Sequence, residues 1–353
     1  MNLMPRLFLL SILLLLLAAC IPEPKQPPTL TPTLSPPPTV TPLPTDTPEP
    51  SPTPATLFQS AGQTTLSGAR RLVWSNDSQS LAILAESGAA LLSIPDLATL
   101  FTLNDPALGS LLDFSPDGRA LVSTSDQQTL ILTDITNGVQ RTLSPGFLIA
   151  ATHFSPDGTF LLVASNEEWA ANLYDAHSLE FRKKVTGFET AAPIYDVRIA
   201  ENILDLAWSA RATIQLQNIP DETLYPALSH EDFVTAFARA RGEPLLVSAA
   251  GGTINNQFAP ILFVWDPTTG EELLRLEQDA MPYSLEFSWD DRLLAVGLAD
   301  RVDIYTTSDM NRVETLTGHA ESVISARFSP DGRWLATLDS TGGLRLWRST
   351  RQP

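Results

Sequence analysis

Phe114-Ser115-Pro116-Asp117-Gly118 recurs as Phe154-Ser155-Pro156-Asp157-Gly158 and again as Phe328-Ser329-Pro330-Asp331-Gly332. Weaker copies are Trp74-Ser75-Asn76-Asp77 and Phe287-Ser288-Trp289-Asp290-Asp291. Alternating apolar residues precede each copy, and an apolar run such as Leu121-Val122 or Leu335-Ala336 follows it. An apolar strand, a tight Pro-Asp-Gly turn and a second strand make a hairpin. Two degenerate copies fit between residues 154 and 287, near Ile199 and near Phe237 to Arg239. Seven units of about 42 residues then fill Leu57 to Pro353. A repeat of this length constrains the fold strongly, because one unit cannot bury its faces without its neighbours.

A third strand follows each hairpin: Leu91 to Ile94, Leu130 to Asp134, Asn172 to Asp175, Ile214 to Asn218, Ile261 to Asp266, Val302 to Tyr305 and Leu344 to Trp347. Six units add a fourth, as in Glu272 to Leu276 and Val313 to Leu316, but the seventh has no chain left for one. Thr56 to Ser60 is a spare strand-like stretch ahead of the first unit. Ring closure solves both problems: the N-terminal strand completes the last sheet beside Leu344 to Trp347, and no exposed sheet edge remains to invite aggregation. The expected fold is therefore all-β, a seven-bladed β-propeller of four-stranded antiparallel blades over 57–353, closed by an N-terminal strand and monomeric.

The seventh unit carries a family resemblance. Thr317-Gly318-His319, Val323, the Phe328 turn, Leu335-Ala336-Thr337 and Leu346-Trp347 resemble a complete WD repeat, and Trp265-Asp266 supplies the dipeptide that names the family. The resemblance spans 57–353 and is faint in the fourth unit. It implies a structural network of histidine, hydroxyl, tryptophan and turn aspartate; His319, Thr337 and Trp347 match, with Thr341 where the aspartate is expected. The turn also resembles that of periplasmic Tol-type propellers.

Ahead of the repeats, Arg6 and the 13-residue apolar run Leu7 to Ala19 have the proportions of a signal peptide and are too short to span a bilayer. Leu17-Ala18-Ala19-Cys20, which contains the chain's only cysteine, resembles a bacterial lipobox. That implies cleavage of residues 1–19 and lipid attachment at Cys20; the alternative is a plain signal peptide with a chance cysteine. Two or three acyl chains give stable anchoring. Residues 20–56 alternate Pro with Thr or Ser. Such a composition cannot bury enough apolar area to fold, and favours an extended, disordered stalk of up to about 100 Å. The protein is thus expected at the cell membrane, facing the extracytoplasmic side, and must hold itself together by burial and not by disulfides. Its formal charge of −18, one unit more acidic without Arg6, disfavours nucleic acid as a partner.

Chemistry is sparse. There is no Gly-x-Ser-x-Gly elbow, phosphate loop or nucleotide fingerprint. The four histidines His153, His177, His230 and His319 fall in four different repeats, which is not ligand spacing. His153, on an inner strand beside Phe154, reads as a packed core residue. The turn aspartates Asp77, Asp117, Asp157 and Asp331 recur because a tight turn favours them. No catalytic residue, metal or cofactor is expected. Binding features are more tangible. Trp169 and Trp208 sit at the ends of second strands in units three and four, and unit five has an enlarged loop, Ala249 to Pro260, with Asn255, Asn256 and Phe258. Exposed aromatics among polar groups form interface hot spots; the alternative is that each ring folds back on its own loop. The expectation is a membrane-anchored scaffold for an envelope or extracellular protein or peptide. The alternative is an enzyme of hydrolase or lyase type, or a small-ligand binder, using the central channel. That alternative requires carboxylates, histidines or arginines converging from different inner strands, whereas a scaffold would line the channel with small and hydroxyl residues.

Overall fold

The computed structural model describes residues 56–85, 88–104, 113–124, 126–165, 167, 170–186, 196–199, 205–220 and 222–351. The chain divides after Thr53, and the unit beginning at Pro54 is the one described here. The signal segment, Cys20 and the stalk to residue 55 lie outside the described residues.

The described residues form seven four-stranded antiparallel sheets and no helix. In blades one to six the chain runs outward strand by strand. The innermost strands are Ala69–Trp74, Asp113–Phe114, Ile149–Phe154, Asp196–Ile199, Val234–Arg239, Ser284–Phe287 and Val323–Phe328. The degenerate copies near Ile199 and Phe237 are thus true inner strands. This is the blade arrangement of a WD-type β-propeller.

Blade seven continues through Trp334–Asp339 and Gly343–Ser349, and its outer strand is Phe58–Thr65 from the other end of the unit. Phe58 pairs with Ser349, Ser60 with Trp347 and Thr65 with Gly343, with a register shift between Ser60 and Gly62. The closing strand sits a little later in sequence than Thr56 to Ser60. The side chain of Phe58 fixes that position: it is buried, its ring lies 6.1 Å from that of Phe328, and it packs among Leu293, Ile304 and Trp347 between blades six and seven. Glu314, on the outer strand of blade six, accepts the Leu57 and Phe58 amides at 2.9 and 3.1 Å.

The recurrent turn explains why these residues make this hairpin. In five blades the serine hydroxyl donates to the aspartate two residues on, at 2.5–2.6 Å (Ser75–Asp77, Ser115–Asp117, Ser155–Asp157, Ser288–Asp290, Ser329–Asp331). The serine oxygen in turn accepts the first amide of the second strand, as with Trp334 on Ser329. The fifth residue needs a left-handed backbone: Gly332 sits at φ +68°, and where glycine is missing Ser78 and Asp291 take φ +59° and +55°. The turn aspartates are therefore turn-formers.

Candidate functional site

Four side chains lock blade seven. Asp339 can only accept, so His319 donates Nδ1–H to its Oδ2 (3.0 Å) and takes the Thr337 hydroxyl at Nε2 (2.7 Å). Trp347 donates Nε1–H to the same Thr337 oxygen (2.9 Å). His319, Thr337 and Trp347 thus stand as the sequence placed them, but the aspartate is Asp339 and not position 341. Thr341 instead donates its hydroxyl and amide to Asp339 Oδ1, which also takes the Gly343 amide. The acid belongs at the end of the second strand because only there does it face the histidine across the turn. Burial alone would raise Asp339, but Thr341, His319 and the Gly343 and Thr341 amides hold it down at about 2. Burial lowers His319, more than Asp339 raises it. Thr337→Val would strand the His319 acceptor and the Trp347 donor at once. The expected loss is about 2–4 kcal/mol in urea unfolding; a loss below about 1 kcal/mol would mean the network is not load-sharing in this way.

Blade five repeats the device, which sequence reading missed. His230 accepts the Ser248 hydroxyl at Nε2 (2.7 Å), and Trp265 Nε1–H donates to Ser248 (2.8 Å). His230 Nδ1 reaches the Ala212 carbonyl at 3.2 Å in place of a carboxylate. The signal was available: eighteen residues separate histidine from hydroxyl in both blades. Hydroxyl and tryptophan lie seventeen apart in blade five but ten in blade seven.

The extra residues between Ser248 and Trp265 are not a loop, as the sequence suggested, but an extension of the hairpin. The ladder runs on through Gly251–Pro260, Gly252–Ala259, Thr253–Phe258 and Ile254–Gln257. Asn255 and Asn256, at φ +51° and +63°, close it as a two-residue turn whose twist matches the strands. Glu231 secures it, accepting the Thr253 amide (2.8 Å) and pairing with Arg275 (2.9 Å). Phe258 is 67% exposed, yet its ring crosses Gly251 so closely that a Cβ there would lie 2.4 Å from it. The Phe258 ring thus folds back on its hairpin and still presents a face to solvent.

The other aromatics differ. Trp169, Asn166 and Glu168 lie outside the described residues. Trp208 is not in a connection: its strand, Asp205–Ala210, runs past it, and it pairs with Val197 and Gln215. That register places it at the strand position held by Thr337 and Ser248 in their blades. Two aromatics the sequence reading passed over replace it. Phe233 and Tyr283, 47% and 44% exposed, each immediately precede an innermost strand, in blades five and six. Phe233 adjoins Asp232, which lies against Gly251. The Thr235 hydroxyl donates to the Pro282 carbonyl at 2.7 Å, joining the two blades beside Tyr283. The repeat does not align them, because Phe233 lies six residues before Arg239 and Tyr283 four before Phe287, and their shared place ahead of an inner strand emerges only from the strand bounds.

The channel has two unlike ends. At the end where the inner strands begin, a cavity of about 260 Å³ is lined by the hydroxyl groups of Ser209, Thr235, Tyr283 and Ser284, by apolar residues such as Val234, Phe237, Leu285 and Ile324, and by Arg327. At the turn end, a cavity of about 230 Å³ shares Phe237 and Arg327 and is lined from all seven blades. Hydroxyl groups thus sit among apolar residues at one end and charged groups gather at the other, with Arg327 reaching both. His153 is not packed in the core. Its side chain is 23% exposed at the turn end, with Nδ1 3.4 Å from Asp113 Oδ2, beside Arg71 at 3.6 Å from the same carboxylate. Asp113 is buried and accepts the Phe114 and Phe154 amides at 3.0 and 2.8 Å. Burial would raise it, but Arg71 and His153 together with the Phe154 amide bring it to about 2. Arg327 pairs with Glu286 at 2.6 Å.

Seven four-stranded sheets, the last closed by the first strand, with histidine–hydroxyl–tryptophan locks in two of them, are consistent with a β-propeller of the WD-repeat kind. Residues 310–348 match the family described as WD domain, G-beta repeat. Over 86 residues the chain is 30% identical to the target of rapamycin complex subunit LST8 of Saccharomyces cerevisiae, covering 24% of this chain and 28% of that one. Over 110 residues it is 33% identical to transcription factor unc-37 of Caenorhabditis elegans, covering 30% and 16%. A third relative, an uncharacterised WD repeat-containing protein of Synechocystis sp., is 38% identical over 66 residues, 18% of each chain. The chain spans less than a third of the length of these curated relatives.

Proposed function

We propose that this protein is an interaction scaffold whose docking face lies on blades five and six, at the channel end opposite the turns. One observation carries the reading: Phe233, Phe258 and Tyr283 are exposed together on that face, next to a hairpin that its own ladder and Glu231 hold rigid. Rigid aromatic anchors lose little entropy on binding and dominate interface energies. Relatives named as a complex subunit and a transcription factor are in keeping with such a role. The partner is an envelope or extracellular protein or peptide, and the protein itself is held at the extracytoplasmic side by lipid on Cys20, through the Pro/Thr-rich stalk.

The enzyme alternative draws on the charged turn end of the channel. Its carboxylates are poor candidates for proton transfer. Asp113 stays ionised at neutral pH and is committed to two amides, and Glu286 is engaged by Arg327. That supports binding over catalysis.

The test uses the full chain, tagged at its C-terminus, with crosslinking in intact cells. One protein enriched with the wild type and reduced at least tenfold by Phe233→Ala, Phe258→Ala and Tyr283→Ala together is the expected result. Equal enrichment with the folded triple variant would refute the docking face. In the same cells Cys20→Ser should move the protein from the detergent phase to the aqueous phase, and retention in the detergent phase would refute the anchor.

A further inference from the structure

We infer that the turn end of the channel binds a neutral sugar or cyclic polyol, one ring lying on Trp289 with its hydroxyls taken by Glu286 and His153. The charged groups of this cavity are engaged with partners of their own, and that sets the class of ligand. Glu286 accepts Arg327 at 2.6 Å. Asp113 faces Arg71 at 3.6 Å and accepts the Phe114 and Phe154 amides. Arg241 lies 3.9 Å from the centre of the Trp289 ring and reaches the Ser288 carbonyl. A small anion would have to break such contacts to be held by a guanidinium, and a cation would meet those same guanidiniums. A neutral molecule that donates hydrogen bonds uses the acceptors these pairs fix in place, and leaves the balance of charge undisturbed.

Two acceptors are set by the fold, on the innermost strands of blades six and three. Arg327 donates to Glu286 Oε2, which pins the carboxylate and leaves Oε1 to accept a hydroxyl. His153 turns Nδ1, which is buried, toward Asp113 at 3.4 Å. That carboxylate can only accept, so the neutral imidazole carries its proton on Nδ1 and its lone pair on Nε2. The His153 side chain is 23% exposed, and with Nδ1 buried it is the Nε2 side that meets the cavity. Asp113 is thus a positioning residue, while His153 and Glu286 touch the ligand. A sugar ring also has an apolar face of C–H groups, and Trp289 is its counterpart. That ring is 37% exposed, and the Arg241 guanidinium against it holds its plane. Pro116, Pro156 and Pro330 line the same cavity and add apolar surface with no N–H to satisfy. Apolar walls with a few fixed polar groups are the usual make-up of a small-molecule pocket. A volume of about 230 Å³ admits one ring.

The inference is independent of the docking face, which lies at the other end of the channel. Ligand-observed NMR titration of the full-length protein, in a detergent without sugar headgroups, tests it. The probes are glucose, galactose, N-acetylglucosamine and myo-inositol, with cyclohexanol and benzoate for comparison. Saturable binding of at least one of the four polyols is expected, at least tenfold tighter than that of cyclohexanol or benzoate. Trp289→Ala and Glu286→Gln should each weaken it at least fivefold. Phe181→Ala, which removes a more exposed aromatic from the outer strand of blade three, leaves it unchanged. No saturable binding of any of the four, binding of cyclohexanol or benzoate as tight as theirs, or unchanged affinity in either folded variant would overturn the site. Should neither variant fold, the wild type decides. Its affinity for the polyol must stay constant from about 20 to about 300 mM salt, and an affinity that falls with salt marks an ionic contact and overturns the site equally.

Discussion

Deletion of Phe58–Thr65 is expected to abolish cooperative folding, although the segment contributes only one of the four strands of one blade. Without it the Gly343–Ser349 strand loses its outer partner and exposes a free row of amides and carbonyls, an edge that recruits other chains. The apolar seam between blades six and seven also loses Phe58, buried against Phe328, Leu293 and Trp347. Removing that ring alone, as in Phe58→Ala, should cost about 3–4 kcal/mol. In a ring every blade leans on two neighbours, so opening one seam removes support from both sides. The deletion should therefore elute as aggregate in size exclusion and show no sigmoidal thermal transition, while Phe58→Ala stays folded with a lowered midpoint. A monomeric deletion variant melting at the wild-type temperature would show that the closing strand is dispensable.

Acid should weaken the protein through His230 well before the carboxylates titrate. Burial pushes this imidazole from its ordinary 6.5 down to about 4, against the opposing pull of the Ala212 and Leu228 carbonyls. Between those two values the unfolded chain binds a proton that the folded one refuses, so stability falls as pH drops from about 6.5 to about 4. Above 6.5 the contribution is fully present. With allowance for the ring's partial exposure the loss is about 2–3 kcal/mol. Protonation is unfavourable because Nε2 must accept from Ser248, whose oxygen already takes the Trp265 donor. His230→Gln removes the titration, so its unfolding free energy should lie well below wild type at pH 7 and approach it by pH 4.2. Parallel wild-type and variant curves across that range would remove His230 from the acid response. His319, also lowered by burial, adds a slope that both proteins share.

Much of this architecture was legible in the residues. The Ser-x-Asp turns announced themselves by repetition, and the same three hydrogen bonds build them wherever they occur. A seventh unit short of one strand, with a spare strand at the other end, implied closure. His319, Thr337 and Trp347 carried a pattern that the fold honours. The hairpin of blade five was harder, because an Asn-Asn turn and two glycines read as loop until the ladder across Gly251 and Gly252 is seen. Asp339 was missed for a related reason: turn length, not residue type, decides which acid meets the histidine.

The inner strands mark the boundary. One position, just ahead of the turn-flanking residue, is filled in turn by Val73, Asp113, His153, Arg198, Ala238, Glu286 and Arg327. Nothing in such a series looks like a motif, since its members lie about forty residues apart and differ in charge and size. The sequence by itself determined the strands, their turns, the number of blades and the means of closure, because these depend on local backbone preference and on alternation of apolar residues. Only the tertiary structure decided which side chains share a cavity. The ring brings positions from every blade onto one axis, where charges distant in the chain act within a few ångströms of one another.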